Sequence, residues 1–473
     1  ATRDMEAGDP VHYKANAGLD AKLILSTSMN LDVTINPDYS QVEVDRQQVN
    51  LDRFELFFPE KRKFFLENSD LFANLGTQTV RPFFSRRIGL DSPVIAGARL
   101  SGQAGENWRI GIMNMQTAVK DLNSADNFSV AVLQRKVLAR SNLGVFMTNK
   151  QVVTTPDDTA YNAYAFNRVA GTEFNFASVD NNWTGKAFYH QSFNPGPSGN
   201  RFATSANLKY STEQFSAGLS QSYVGGNYLA EMGFVRRTGF HQTNPSIGYQ
   251  FYTMSNRITN HGPMIEADFF FEPDLSLTDR ELELSYSLTW RDRSKIAIGL
   301  EEGYVRLLEP FDPTHSGGVE IPAGTEINWT EVSLSYMSTQ KWLFTFMLEG
   351  RYGGFFGGTR TAVEAEINYR VQPYGSISLA TSYYHILMPE PYTSADLVLV
   401  GPRLDITFTE KLFFTTFVQY NNQIDNVNVN MRFQWRFAPV SDLFIVYTGH
   451  NEFLERRTYS ALLSAPPLLL DVA

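Results

Sequence analysis

Cysteine is absent from the 473 residues, which excludes a disulfide framework, Cys-ligated zinc and a thiol nucleophile. Charge is scarce too: Asp, Glu, Lys and Arg make up 19% of the chain, and the net charge is −10. No basic domain offsets that balance, which argues against a nucleic acid partner. No run of about 18 apolar residues exists, so no transmembrane helix is expected. The most apolar stretch, SALLSAPPLLLDVA at the C-terminal end, is broken by Pro466 and Pro467. The opening residues, ATRDMEAGDP, contain no signal-peptide core and read as the start of a processed chain or of one lacking an upstream portion. Histidine is thin and scattered, at His12, His190, His241, His261, His315, His385 and His450. None of these has ligand spacing, so neither a metal nor another cofactor is expected.

Aromatic residues, in contrast, reach 14%, with 36 Phe and 22 Tyr. From about residue 90 onward the pattern is period-two alternation. In ELELSYSLTWR, Leu282, Leu284, Tyr286, Leu288 and Trp290 share one face, and Glu281, Glu283 and Arg291 lie on the other. VNVNMRFQWRF, AVEAEINYRV and KWLFTFMLEGRY repeat the arrangement. These strands run to roughly 9–12 residues, where strands of soluble proteins are usually about 5–6. Turns rich in Gly, Asn and Asp join them, and amphipathic helical stretches are nearly missing. GGFFGGTR reads as one such hairpin turn. Strands of that length, with Trp108, Trp183, Trp290, Trp342 and Trp435 near their ends, fit a transmembrane antiparallel β-barrel of about 18–24 strands. A large soluble all-β core is the alternative.

One segment breaks the alternation. Between Glu43 and Arg87 lie seven acidic and eight basic residues interleaved with phenylalanines. The densest part is FFPEKRKFFLE, from Phe57 to Glu67. Charge at this density is implausible against lipid, and Pro59 argues against a central strand. The expectation is a segment folded into the lumen, giving three parts: residues 1–35 with the first hairpin, 36–90 as a plug-like segment, and 91–473 as the remaining barrel. The candidate lumenal residues are Phe57, Phe58, Glu60, Lys61, Arg62, Lys63, Phe64, Phe65, Glu67, Arg86 and Arg87. They admit two readings. The charges pair among themselves and with wall residues such as Glu281, Arg370 or Arg432, holding the segment in place; or Lys61, Arg62 and Lys63 contact an anion or sugar acid, with Phe58 and Phe64 as stacking platforms.

NPDYSQVEVDRQQVNLDRFELFFPEKRKFFLENSDLF, followed by FFSRRIG, resembles the signature of a Bacteroidota outer-membrane β-barrel family of unknown function. EMGFVRRTGF and FQWRFAPVSDLFIVYT extend the likeness along the chain. Members of that family often carry an upstream module similar to a family-nine carbohydrate-binding domain. The resemblance implies a bacterial outer-membrane location and a barrel fold, with outer-membrane lipid and other envelope proteins as partners. It supplies no established activity. The C-terminal segment departs from the aromatic-terminated last strand usual there.

The leading functional expectation is therefore a narrowed or plugged, porin-like channel for small solutes. The alternative is a non-conducting anchor or scaffold barrel for a glycan-handling or secretion assembly. An enzyme is not expected: His190 beside Ser192 only faintly suggests a lipase-like pair, and one sequence cannot supply a triad. Asp38, Glu43 and Asp45 lack Ca²⁺-loop spacing. Asp158-Thr159-Ala160 resembles a short O-glycosylation motif.

Overall fold

The computed structural model describes residues 16–39, 42–120, 123–154, 166–439 and 441–452. A first hairpin joins β1 (Leu19–Ser26) to β2 (Met29–Ile35). The chain then leaves the sheet in a strap containing two single-turn helices, α1 (Lys63–Leu66) and α2 (Asp70–Ala73), and the short strand β3 (Val80–Arg81). It returns as β4 (Val94–Ala104), followed by β5 (Trp108–Thr117), β6 (Ala125–Val137) and β7 (Ser141–Thr154). Next come β8 (Phe166–Ala177), β9 (Trp183–Phe193), β10 (Phe202–Ser211) and β11 (Phe215–Val224). The two-residue β12 (Phe234–Val235) pairs with β3 outside the main sheet. The sheet continues as β13 (Phe240–Tyr249), β14 (Phe251–Tyr252), β15 (Ile258–Phe271), β16 (Leu277–Trp290) and β17 (Lys295–Arg306). It runs on through β18 (Glu326–Met337), β19 (Phe344–Phe355), β20 (Gly358–Val371) and β21 (Gly375–Leu387). It ends with β22 (Ala395–Thr409), β23 (Leu412–Asn421), β24 (Asn426–Ala438) and β25 (Ser441–Glu452).

Apart from β3 and β12, every strand belongs to one antiparallel sheet of 23 strands in which chain neighbours pair. β2 pairs with β4 across the strap, from Met29↔Gly102 to Ile35↔Ala96. Tight turns hold the meander. Between β19 and β20, Phe356 and Gly357 both take positive φ, 45° and 85°, the signature of a two-residue turn that matches strand twist. This is where GGFFGGTR was expected to turn.

The sheet is open: among the described residues, β1 and β25 do not pair with each other. This overturns the expected closed barrel. In lipid, each unsatisfied backbone group costs several kcal/mol, and closure is what removes the edges. The channel, the plug and the scaffold barrel, expected from the long alternating strands and the family resemblance, all require closure and fall with it, as do the outer-membrane location and the lipid partner. No helix among the described residues is long and apolar enough to cross a membrane.

The sheet curls around the strap. Asp70 and Asn74 of the strap meet Arg109 on β5 and Lys186 on β9, while Glu43, Asp45 and Gln47 meet Arg403 on β22 and Gln419 on β23. One segment can touch both regions only if the strands between them bend into a trough. Period-two alternation then divides the sheet. Side chains such as Arg99, Glu173, Asp279 and Glu331 face the strap, and Leu284, Ile298, Leu334 and Ile377 point away and are exposed. The strap-facing side of β4–β11 carries an apolar cluster that packs Leu71, Phe72 and Phe83 against Met113, Val130 and Phe188. Gly111 makes room here: a Cβ would come within 2.6 Å of Leu71 and 2.7 Å of Phe72.

Candidate functional site

The charge knot of FFPEKRKFFLE is largely self-satisfied. The Arg62 guanidinium grips Glu60 through Nε and Nη2, at 2.9 and 2.7 Å, and donates to the carbonyls of Ile88 and Ser85. It also lies 4.3 Å from the Phe65 ring centre. Burial would push the Glu60 carboxyl up, but the Arg62 hydrogen bonds outweigh it and hold it below the usual range. Lys61 reaches Asp45 at 3.2 Å, and Arg86 clamps the same carboxylate. Arg87 pairs with Glu55, and Glu67 with Lys22. Phe64 packs edge-on against Phe65, and Phe57 against Phe84 and Phe234. Lys63 is exposed and Phe58 half-buried. This geometry supports the structural reading of these residues, with Lys61 and Arg62 already engaged.

The wall partners differ from those expected. Arg53 pairs with Asp279, Arg46 with Glu366, and Glu43 with Arg403. Arg370 donates instead to the carbonyls of Gln340 and Trp342. His190 is fully buried and bonded to Glu173 at 3.0 Å, while Ser192 donates to the Arg201 carbonyl. Burial lowers the His190 pKa, so the ring is neutral and Nε2–H donates to the carboxylate. Glu43 and Asp45 are taken up by arginines and a lysine, and no metal-holding cluster occurs among the described residues. Asp158, Thr159 and Ala160, His12 and the C-terminal segment lie outside the described residues.

The sequence reading missed the main cavity. It measures about 590 Å³ and lies between strap residues Leu51–Phe54, the segment around Arg236 and Arg237, and the inner faces of β15–β20. Six arginines line it: Arg53, Arg236, Arg237, Arg280, Arg351 and Arg360. Asp52, Asp268, Asp279 and Glu281 supply carboxyls, and Phe240, Phe270, Tyr304 and Trp329 supply aromatic surface. Gly303 leaves space for the indole, since a Cβ there would come within 2.2 Å of Trp329.

Strand register explains the electrostatics. Glu266, Glu283, Glu301 and Glu331 stand directly opposite one another on β15, β16, β17 and β18, in one row across the sheet. Asp268 and Glu281 form the next opposed pair. Like charges directly opposite destabilise a ladder. Arginine relieves only one end: Arg360 holds Glu331 at 2.9 and 2.5 Å, and Arg351 lies 3.7 Å from Glu301. At the other end, enclosure by protein, then Glu301, Asp268 and Glu283, push the Glu281 carboxyl up to about 7. Burial, with Glu266 and Asp279 adding, pushes Asp268 up to about 6 against the opposing Gln242 amide. The cavity therefore holds two adjacent carboxyls whose pKa values are raised to about 6 and about 7, and neither forms an ion pair among the described residues.

A family model described as a domain of unknown function, DUF5916, matches residues 2–120. That span covers β1, β2, the strap, β4 and β5, about a quarter of the chain. Together with the open sheet, it corrects the resemblance to an outer-membrane barrel family along the whole chain. No curated protein matches the chain.

Proposed function

We propose that the protein binds, without transforming, a small hydroxyl-rich solute in the cavity between the strap and β15–β20. The observation that carries this reading is the lining itself. It offers guanidinium donors fixed by their own ion pairs, a carboxyl pair free to accept or donate, and aromatic faces. Such a mixture suits a ligand that has donors, acceptors and apolar C–H surface together. An apolar ligand would strand the polar groups, and a strong cation would meet six guanidinium charges. The volume is in the range that holds a ligand of a few hundred Å³.

Isothermal titration of the full chain with glucose, glucuronate, glycine and spermidine tests the idea. Saturable binding of a sugar, weakened at least about tenfold in Asp268→Asn/Glu281→Gln, is the expected result. No saturable binding of either sugar, or binding indifferent to that double change, would overturn it.

A further inference from the structure

We propose that Arg81 and Arg236 form a binding site for a small oxyanion, a carboxylate or phosphoryl group, where the strap meets the segment carrying β12. The two residues come together through the miniature sheet. Arg81 on β3 stands opposite Phe234 on β12, and Arg236 follows β12 directly. Each guanidinium lies over an aromatic ring, Arg81 4.3 Å from the centre of Phe57 and Arg236 5.6 Å from that of Phe234. The two rings are themselves in edge contact at 5.3 Å.

Two positive charges thus share one aromatic floor, and the carboxylates nearby are already taken. Glu60 is held by Arg62, Glu55 by Arg87, and Asp279 by Arg53 and Arg237. The Arg81 side chain makes no hydrogen bond or ion pair with any described residue, and its buried Nε has no acceptor. Arg236 approaches only Asp52, at 3.9 Å, too far for a hydrogen bond. Burial and then the Arg236 charge lower the Arg81 pKa, which is the electrostatic sign of an unmet pair. An oxyanion answers both defects, because each guanidinium fork donates to two of its oxygens at once and the anion's charge cancels the repulsion. The stacked rings preset both forks.

Arg236 also lines the cavity above but Arg81 does not, so loss of anion binding in Arg81→Gln with sugar binding intact separates the two readings. The test titrates the full chain with inorganic phosphate and, separately, with acetate, at constant ionic strength set by chloride. Binding is followed by calorimetry and by the melting temperature. Wild type should bind at least one probe saturably: phosphate alone assigns a phosphoryl group, acetate alone a carboxylate. Arg236→Gln, at a half-exposed position, should lose at least about tenfold in affinity and the anion-dependent rise in melting temperature. In anion-free buffer the same variant should melt no lower than wild type, since a repulsion has been removed. Arg81→Gln should lose the same binding, and Arg109→Ala, on β5 and away from the site, should keep it. No saturable binding of either probe, or equal binding in Arg236→Gln, would overturn the proposal.

Discussion

The two sides of the trough hold the same strap by different physics. Against β4–β11 the contact is dry, with Leu71, Phe72, Phe83 and Ile88 sunk among Met113, Met115 and Val130. Against β15–β23 it is made by charge and amide contacts: Arg53 on Asp279, Glu43 on Arg403, and Gln419 and Gln423 on the strap backbone. Apolar burial closes space, because interiors pack to crystal-like density. Directional polar contacts fix a segment at a few points and leave volume between them. The cavity of about 590 Å³ lies on the polar side, and one of about 420 Å³ lies between the strap and β5–β7. Both sides anchor the strap, and the polar side keeps the larger of these two spaces.

The comparison breaks most visibly at Glu173, the buried charge within the dry side. Its carboxylate holds Lys186 at 2.8 Å, His190, and the backbone N–H of Gly76 in the strap. Burial would raise its pKa, but the His190 hydrogen bond and the Lys186 charge win and lower it. Glu173→Ala strips buried His190 and the Gly76 N–H of their acceptor and should cost about 1–3 kcal/mol in denaturant unfolding. A loss under about 1 kcal/mol would mean the dry side does not depend on that carboxylate.

On the polar side the sign reverses. A carboxyl whose folded pKa is raised binds its proton more tightly when folded, so stability falls as pH rises from the unfolded value of about 4.3 through the folded one. For Glu281 that window ends at about 7. Glu281→Gln should therefore stabilise the protein at pH 8 by about 0.5–1 kcal/mol, after discounting for its exposure, and change little at pH 4. Paired melts at the two pH values decide it; equal effects at both would remove the repulsion argument.

The smallest effect belongs to Arg109, whose pair with Asp70 is exposed on the dry side's rim. The Arg109 hydrogen bond holds the Asp70 carboxyl below its ordinary range, so the contribution is present above the unfolded pKa and is lost as pH falls through the folded one. Arg109→Ala should cost less than about 0.5 kcal/mol at pH 7. A larger loss would show that the rim holds the strap as firmly as the buried contacts do.

The strands were legible because alternation is a local property. Leu277–Trp290 and Asn426–Ala438 coincide with the alternating runs, and their apolar members face away from the strap. The strap was legible for the converse reason, since neither alternation nor helical spacing accommodates Glu60 to Lys63. Closure was not legible. Alternation is the same in a closed barrel and in an open, curled sheet, and only pairing of the first strand with the last distinguishes them. The cavity was hidden because its chemistry is assembled by register. Asp268 and Glu281 are opposed only through the β15–β16 ladder, and Arg81 meets Arg236 only through two-residue strands. The motif EMGFVRRTGF contained Arg236, but nothing local to it named a partner.

The strap departs and returns at a single rung. Ile35 is opposite Ala96, and the Asn36 N–H bonds to the Ile95 carbonyl at 2.8 Å. The strands on either side would meet in the same register whatever lay between them. In genetic terms, the stretch from Pro37 to Pro93 is a cassette inserted in one hairpin. Closing a longer or shorter insert changes the entropy only logarithmically with its length. Recombination that exchanged the cassette would replace half of each candidate site and the partner of β12, while the pairing within the main sheet stayed unchanged.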